Sequence, residues 1–171
     1  LLTELVYGLL RLRGRIDFAL QHFSRQPLER LEKNALLLLR LGAYQLLELD
    51  RIPPHAAVHA TVELSHQVGM GRVAGLVNGT LRTLIREQDT IKWPTPEDLK
   101  AYLQHNCSLP PWLAKELLRQ FPNVDSQALA EAFTKAAVHE FKGQADAYDQ
   151  LILRLVPNGT PFISNTLYNT L

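Results

Sequence analysis

Residues 34–49 carry apolar side chains on nearly every side of a predicted helix, and this feature constrains the fold more than any other. A helix that is apolar all round has to be covered by other elements, so we expect it at the centre of a helical bundle. The segment 50–54 then ends the helix, because Pro53 disfavours helical geometry at Ile52 while Pro54 fits the first turn of a new helix.

The spacing of apolar residues is helical in most of the remaining chain, and no stretch before the C-terminus alternates as a strand would. We expect a first helix that ends at Gly14 and a short second helix after it. The spacing also predicts helices near 54–67, 72–87, 97–105, 110–121 and 125–141, the last with Asp125 or Ser126 as its cap.

These elements predict an all-α fold in which a small helical extension follows a helical bundle. The polar, proline-bearing segment 89–96 is typical of a linker. We therefore expect the bundle over residues 1–90 and the extension over 91–150, and we leave the tail 151–171 unassigned.

The composition is that of an ordinary globular protein, with 46% hydrophobic and 20% charged residues. No apolar run approaches the roughly 20 residues of a membrane span and no signal peptide opens the chain, so we expect no membrane contact. The chain starts at Leu1 without a Met, which suggests a trimmed N-terminus. The single cysteine, Cys107, excludes an internal disulfide and fits a reducing, cytoplasmic compartment.

Arginine and lysine are unevenly placed along the chain. Residues 1–90 hold ten arginines and one lysine, whereas the rest holds two arginines and five lysines. The planar guanidinium suits phosphate and stacks on exposed bases, which favours nucleic acid as a ligand of the first half. Because the whole chain has a net charge of only +1, such contacts have to come from a local patch. The alternative is that each arginine pairs with a nearby carboxylate.

The helix over 72–87 is predicted to have two faces on a wheel of roughly 100° per residue. One face carries Arg72, Arg82, Arg86, Gly75 and Gly79, and the other carries Val73, Leu76, Val77, Leu81, Leu84 and Ile85. The bare glycines let either a phosphate backbone or another helix come close, so both RNA binding and tight helix packing remain open. We expect Asn78, at the boundary, to be a hydrogen-bonded structural residue.

Two further clusters are candidate sites. Arg11, Arg13 and Arg15 alternate around Gly14, where they can bind a phosphate or stabilise a helix C-terminus. His55, His59, Glu63 and His66 form one stripe that zinc could use, but a solvated polar face is the commoner fate of such a stripe, and we expect no metal.

Four segments carry a family resemblance. LLRLGAYQLL at 38–47, DRIPPHAAV at 50–58, GLVNGTLR at 75–82 and SLPPWL at 108–113 resemble the NusB-like N-terminal domain of Sun/Fmu-type ribosomal RNA cytosine-5 methyltransferases. The resemblance implies a NusB-like fold and an RNA-binding role that positions the substrate of a 16S-type ribosomal RNA methyltransferase. For the arginine–glycine face of the helix over 72–87 it favours RNA binding over helix packing, and it implies Arg11, Arg13 and Arg15 as the second RNA candidate.

The catalytic signatures that this methyltransferase family needs are absent from the 171 residues. There is no Gly-rich strand-to-helix loop and no Pro-Cys motif, and Cys107, between Asn106 and Ser108, reads as structural. The resemblance thus implies a chain that is not catalytic by itself and carries no cofactor. S-adenosylmethionine would serve the full-length enzyme, and the partners would be ribosomal RNA and a C-terminal catalytic domain.

Two alternatives to this function remain open: a stand-alone NusB-like antitermination protein and a helical protein-association domain. The segment SLPPWL favours the methyltransferase over the antitermination protein.

Overall fold

A computed structural model describes residues 2–123, 125–130 and 132–133, and all of its regular structure is helical. The first five helices are α1 (Leu2–Arg11), α2 (Arg13–Phe23), α3 (Lys33–Glu48), α4 (Pro54–Gln67) and α5 (Ala74–Glu87). A short helix α6 (Leu99–Ala101) runs into a π-helical turn (Tyr102–Asn106), α7 follows (Pro111–Gln120), and residues 126–130 and 132–133 are again helical. The predicted all-α fold is confirmed, and none of these helices is long and apolar enough to cross a membrane.

Helix α3 occupies the centre of the bundle, as its sequence predicts. It packs against α1, α2, α4 and α5, and the side chains of Leu38, Leu39 and Tyr44 are buried. Its cover is incomplete, however, because 54% of Leu37 is exposed and Leu46 is only half-buried. Burial of these side chains contributes hydrophobic stabilisation to the bundle.

The break after α3 lies where the prolines predict it. Helix α3 ends at Glu48, and Pro54 stands in the first turn of α4. Pro54 lacks an N–H, but the first turn leaves such groups unbonded in any helix, so the residue costs the helix nothing there. The chain therefore reverses between two neighbouring helices, which places α4 and α5 side by side on one flank of α3.

The predicted helix end at Gly14 is wrong. Helix α1 ends at Arg11, the break lies at Leu12, and Gly14 is inside α2. Gly14 is needed for a close approach rather than for a turn: a Cβ at this position would lie 2.4 Å from the carbonyl oxygen of Gln104. Only a residue without a side chain lets α2 contact the extension this closely.

Two separate clusters of buried side chains form the hydrophobic core. The first runs from Leu9 to Ile91, and the second from Leu99 to Phe133. This separation agrees with a bundle and an extension, while the boundaries of the domains stay a prediction.

Helix α2 holds the extension against the bundle. The ring of Phe18 lies 5.5 Å from that of Trp93 and 4.6 Å from that of His105. The guanidinium of Arg15 stacks on Trp93 at 4.1 Å, and its backbone N–H donates to Ser108 Oγ at 2.9 Å. These aromatic, cation–π and hydrogen-bonding contacts fix the position of the extension relative to α2.

The helix that follows α7 is capped by Asp125, one of the two predicted caps. Its Oδ1 accepts from the backbone N–H of Gln127 at 2.9 Å and of Ala128 at 3.3 Å. The predicted continuation of this helix to residue 141 and the tail 151–171 lie outside the described residues.

Candidate nucleic-acid interface

Helix α5 has one apolar face and one basic face. Val77, Leu81 and Leu84 are fully buried in the first core, whereas the side chains of Arg72 and Arg86 are 63% and 67% exposed. Arg82 is exposed as well. The apolar and basic sides predicted for this helix are therefore present, but the predicted start at residue 72 is wrong. Helix α5 begins at Ala74, and Arg72 lies in the 3-10 turn Gly71–Val73 that precedes it.

Leu76 does not belong to the apolar face on which we placed it. It is 44% exposed. Around α5 it lies about 60° from Gly79 and about 140° from the buried Leu81. The exposed side of α5 thus includes one leucine beside the glycines.

Gly75 and Gly79 leave the surface of α5 open. A Cβ at either position would meet no other atom within 4 Å, so neither glycine serves tight helix packing. Gly42 on α3 shows the contrast, because a Cβ there would lie 2.3 Å from Leu81 Cδ1. The sequence left two interpretations of these glycines open. The geometry agrees with close approach of a ligand and does not agree with helix packing.

A groove of about 1000 Å³ lies between α4 and α5. Its apolar lining comes from Val58, Val62, Ala74 and Ile85, and its polar lining comes from His55, His59, Asn78, Arg82 and Arg86. No acidic residue lines the groove within the part of the chain that the structure describes. The lining therefore favours an anionic ligand with an apolar part.

The three arginines of this basic surface, Arg82 and Arg86 on α5 and Arg72 in the turn before it, each have a partner on the protein. Arg82 Nε donates to Asn78 Oδ1 at 2.9 Å, Arg86 binds Glu87, and Arg72 binds Glu32. Asn78 is half-buried and hydrogen-bonded, which agrees with a structural role. The bond to Asn78 orients the Arg82 guanidinium and leaves its terminal nitrogens available to a ligand. All three arginines are exposed, so these pairs hold the side chains only weakly.

The arginines around Gly14 have different surroundings from one another. Arg13 is 63% exposed and lies 3.7 Å from Asp17. Arg15 is only 29% exposed, because its Nε donates to Glu48 at 2.8 Å and its guanidinium stacks on Trp93. Arg11 is half-buried. Arg15 is thus occupied by a structural contact, and the three side chains make a weaker candidate for a common phosphate site than α5 does.

Sequence reasoning missed the role of His55 and His59 in lining the groove. Both are exposed residues of α4, and both lie across the groove from Arg82 and Arg86. The sequence did contain a signal for this arrangement: His55 and His59 are four residues apart on one helix, and Arg82 and Arg86 are four residues apart on the next. No group of three or more potential metal ligands occurs among the described residues.

Within the described part of the chain, neither the backbone nor Cys107 offers what binding of S-adenosylmethionine or nucleophilic attack by a cysteine requires. Over the described residues there is no strand that could lead into a nucleotide-binding loop. Burial raises the pKa of the Cys107 thiol to about 12, so the thiol stays protonated and is a poor nucleophile.

Comparison with known proteins identifies the family. The chain is 39% identical to a probable ribosomal RNA small subunit methyltransferase B of Bacillus subtilis (strain 168) over 116 residues, which is 68% of this chain and 26% of that protein. It is 34% identical to the ribosomal RNA small subunit methyltransferase B of Escherichia coli O1:K1 / APEC over 132 residues, 77% of this chain and 29% of that protein.

The chain thus spans less than a third of the length of these curated relatives. The family model that describes the NusB family matches residues 1–86. Because the alignments with the methyltransferases are longer than this match, the similarity to them continues past the family region. With half of its residues matched, the chain belongs to the NusB family.

Proposed function

We propose that this chain binds ribosomal RNA and positions it for an S-adenosylmethionine-dependent cytosine-5 methyltransferase domain outside these 171 residues, in the cytoplasm. The observation that carries the proposal is the basic surface at α5, where Arg82 and Arg86 on the helix and Arg72 in the turn before it are exposed beside two open glycines. All of these residues lie within the NusB match at residues 1–86, and the chain is similar over 116 residues to a protein named as a probable ribosomal RNA methyltransferase.

Electrostatics explains why a small patch suffices. The chain as a whole has a net charge of +1, so it cannot attract RNA through its overall field. Three exposed guanidinium groups, two on α5 and one in the turn before it, can each displace a counterion from a phosphate, which is the main source of affinity for nucleic acid. The open glycines let the backbone of the ligand approach the helix that carries these arginines.

A stand-alone NusB-like protein is the main rival. The longer alignments favour the methyltransferase, since similarity restricted to an antitermination-type bundle would end with the family region. A protein-association domain is the second rival, and it predicts no dependence of binding on the arginines of α5.

Titration of an RNA hairpin at several salt concentrations tests the proposal. The triple variant R72Q/R82Q/R86Q should bind more weakly and should lower the slope of log K against log salt by about two to three. The control variant R30Q/R51Q/R119Q removes the same charge from exposed arginines that do not line the groove, and we expect it to keep the slope of the wild type. Equal slopes for the two triple variants would refute a specific role of α5.

A further inference from the structure

The walls of the α4–α5 groove carry two matched pairs of side chains. His55 and His59 stand four residues apart on α4, and Arg82 and Arg86 stand four residues apart on α5. Four residues advance a helix by about 6 Å, so each pair presents two planar groups one turn apart. An imidazole wall thus lies opposite a guanidinium wall.

The floor between the walls is apolar. Val62 and Ile85 are half-buried there, and Val58 is buried beneath them. A phosphate on this floor would lose its hydration without gaining a partner, whereas the face of a nucleobase can be covered by apolar groups. The groove therefore suits a ligand with two kinds of group: a negative charge that binds at the α5 wall and an apolar surface that packs on the floor.

We infer that this groove binds an unpaired RNA segment, with bases on the apolar floor and against the imidazoles and phosphates at Arg82 and Arg86. The inference rests on the proposed RNA-binding function and specifies its ligand. In a duplex the bases are stacked inside and only the backbone and groove edges are offered, so the floor would stay empty. In an unpaired strand the bases can turn onto aromatic rings such as imidazole and onto guanidinium planes.

Glu87 limits how strongly Arg86 can bind such a strand. Its Oε1 accepts from Arg86 Nε at 2.9 Å and from a terminal nitrogen at 2.6 Å. An incoming phosphate has to share or replace this carboxylate. Arg82 has an uncharged partner, Asn78, and therefore keeps its full charge for the strand.

The test compares three probes on the full chain at one fixed pH and salt concentration. The probes are a single strand of roughly 12 nucleotides, the same strand annealed to its complement, and the same strand with abasic central nucleotides. We expect the wild type to prefer the intact single strand over the other two probes by about tenfold. Equal affinity for the duplex, or for the abasic strand, would overturn the inference.

Histidine variants locate the bases. H55A/H59A changes two exposed side chains and should keep the fold, yet weaken binding of the intact strand by about fivefold or more without altering the salt slope. H66A removes an exposed histidine of the same helix that does not line the groove, and we expect wild-type binding. Wild-type affinity of H55A/H59A would also overturn the inference.

Failure of the proposed function and failure of this inference give different results. Absence of binding to every RNA, hairpin included, would refute the proposed function itself. Tight binding of the duplex would refute only the inference that the ligand is unpaired RNA.

Discussion

Glycine has opposite roles at two positions of this chain. Gly14 faces the carbonyl oxygen of Gln104, where a Cβ would lie 2.4 Å away, whereas a Cβ at Gly79 would meet no atom within 4 Å. Both residues lie in helices, so both could take a helical alanine as far as the backbone is concerned. The difference between them lies only in their surroundings.

This contrast predicts opposite effects of the same substitution. Gly14→Ala should destabilise the fold by about 1–3 kcal/mol through overpacking against the extension. Gly79→Ala should stabilise it by about 0.5–1 kcal/mol, because alanine loses less backbone entropy in a helix. Urea denaturation of the two variants measures both effects. A neutral Gly14→Ala would show that α2 and the extension are not in close contact.

The glycines of α5 also permit a separation of stability from binding. If a phosphate backbone approaches the bare surface at Gly75 and Gly79, the variant G75A/G79A should be at least as stable as the wild type and bind RNA more weakly. The measurement is RNA affinity together with a denaturation curve of the same preparation. Unchanged affinity would mean that the ligand does not touch this part of α5.

Cys107 should be chemically inert in the native protein. A thiol with a pKa of about 12 is ionised on the order of a thousand times less at pH 8 than an ordinary cysteine. We therefore expect alkylation by iodoacetamide to be at least about 100-fold slower in the native state than in urea, followed by mass spectrometry. Fast native labelling would contradict the burial of this side chain.

At the scale of elements, the sequence predicted those features that depend on local chemistry. The bounds of α4 agree with the prediction because Pro54 and the Gly-Met-Gly segment at 69–71 act through their own backbone. The placement of Gly14 failed because the group that requires a glycine, Gln104, lies far away in sequence. The histidine wall of the groove was missed for the same reason, since only the packing of α4 against α5 brings it opposite the arginines.

The two faces of α5 predict different costs for two leucines of one helix. Leu81 is fully buried, so Leu81→Ala should cost about 2–5 kcal/mol through lost burial and a residual cavity. Leu76 is 44% exposed, and Leu76→Ala should cost less than about 1 kcal/mol. Chemical denaturation of both variants checks the helix orientation. Similar costs at the two positions would mean that α5 is rotated relative to the bundle.

At the scale of the whole molecule, the bundle and the extension make different contributions. The bundle carries the basic face and the groove between α4 and α5. The extension contacts a different helix, α2, through Trp93 and His105. None of the residues that line the groove comes from the extension. RNA binding should therefore be a property of the bundle, with the extension available for contacts to further sequence.

The chain alone should not bind S-adenosylmethionine. Its 171 residues lack the Gly-rich loop and the Pro-Cys motif of the methyltransferases it resembles. Calorimetric titration with the cofactor should give no saturable signal, while the same preparation binds RNA, which shows that it is folded and active. A one-site isotherm with the cofactor would contradict this assignment of roles.

The central claim is that RNA lies on α5 and in the groove beside α4. Ultraviolet cross-linking of the chain to an unpaired RNA strand, followed by peptide mapping, tests the location directly. The account predicts cross-links in peptides from α4 and α5, and their loss in R72Q/R82Q/R86Q. Cross-links confined to the α1–α2 junction around Arg11 and Arg13, with none on α4 or α5, would contradict it.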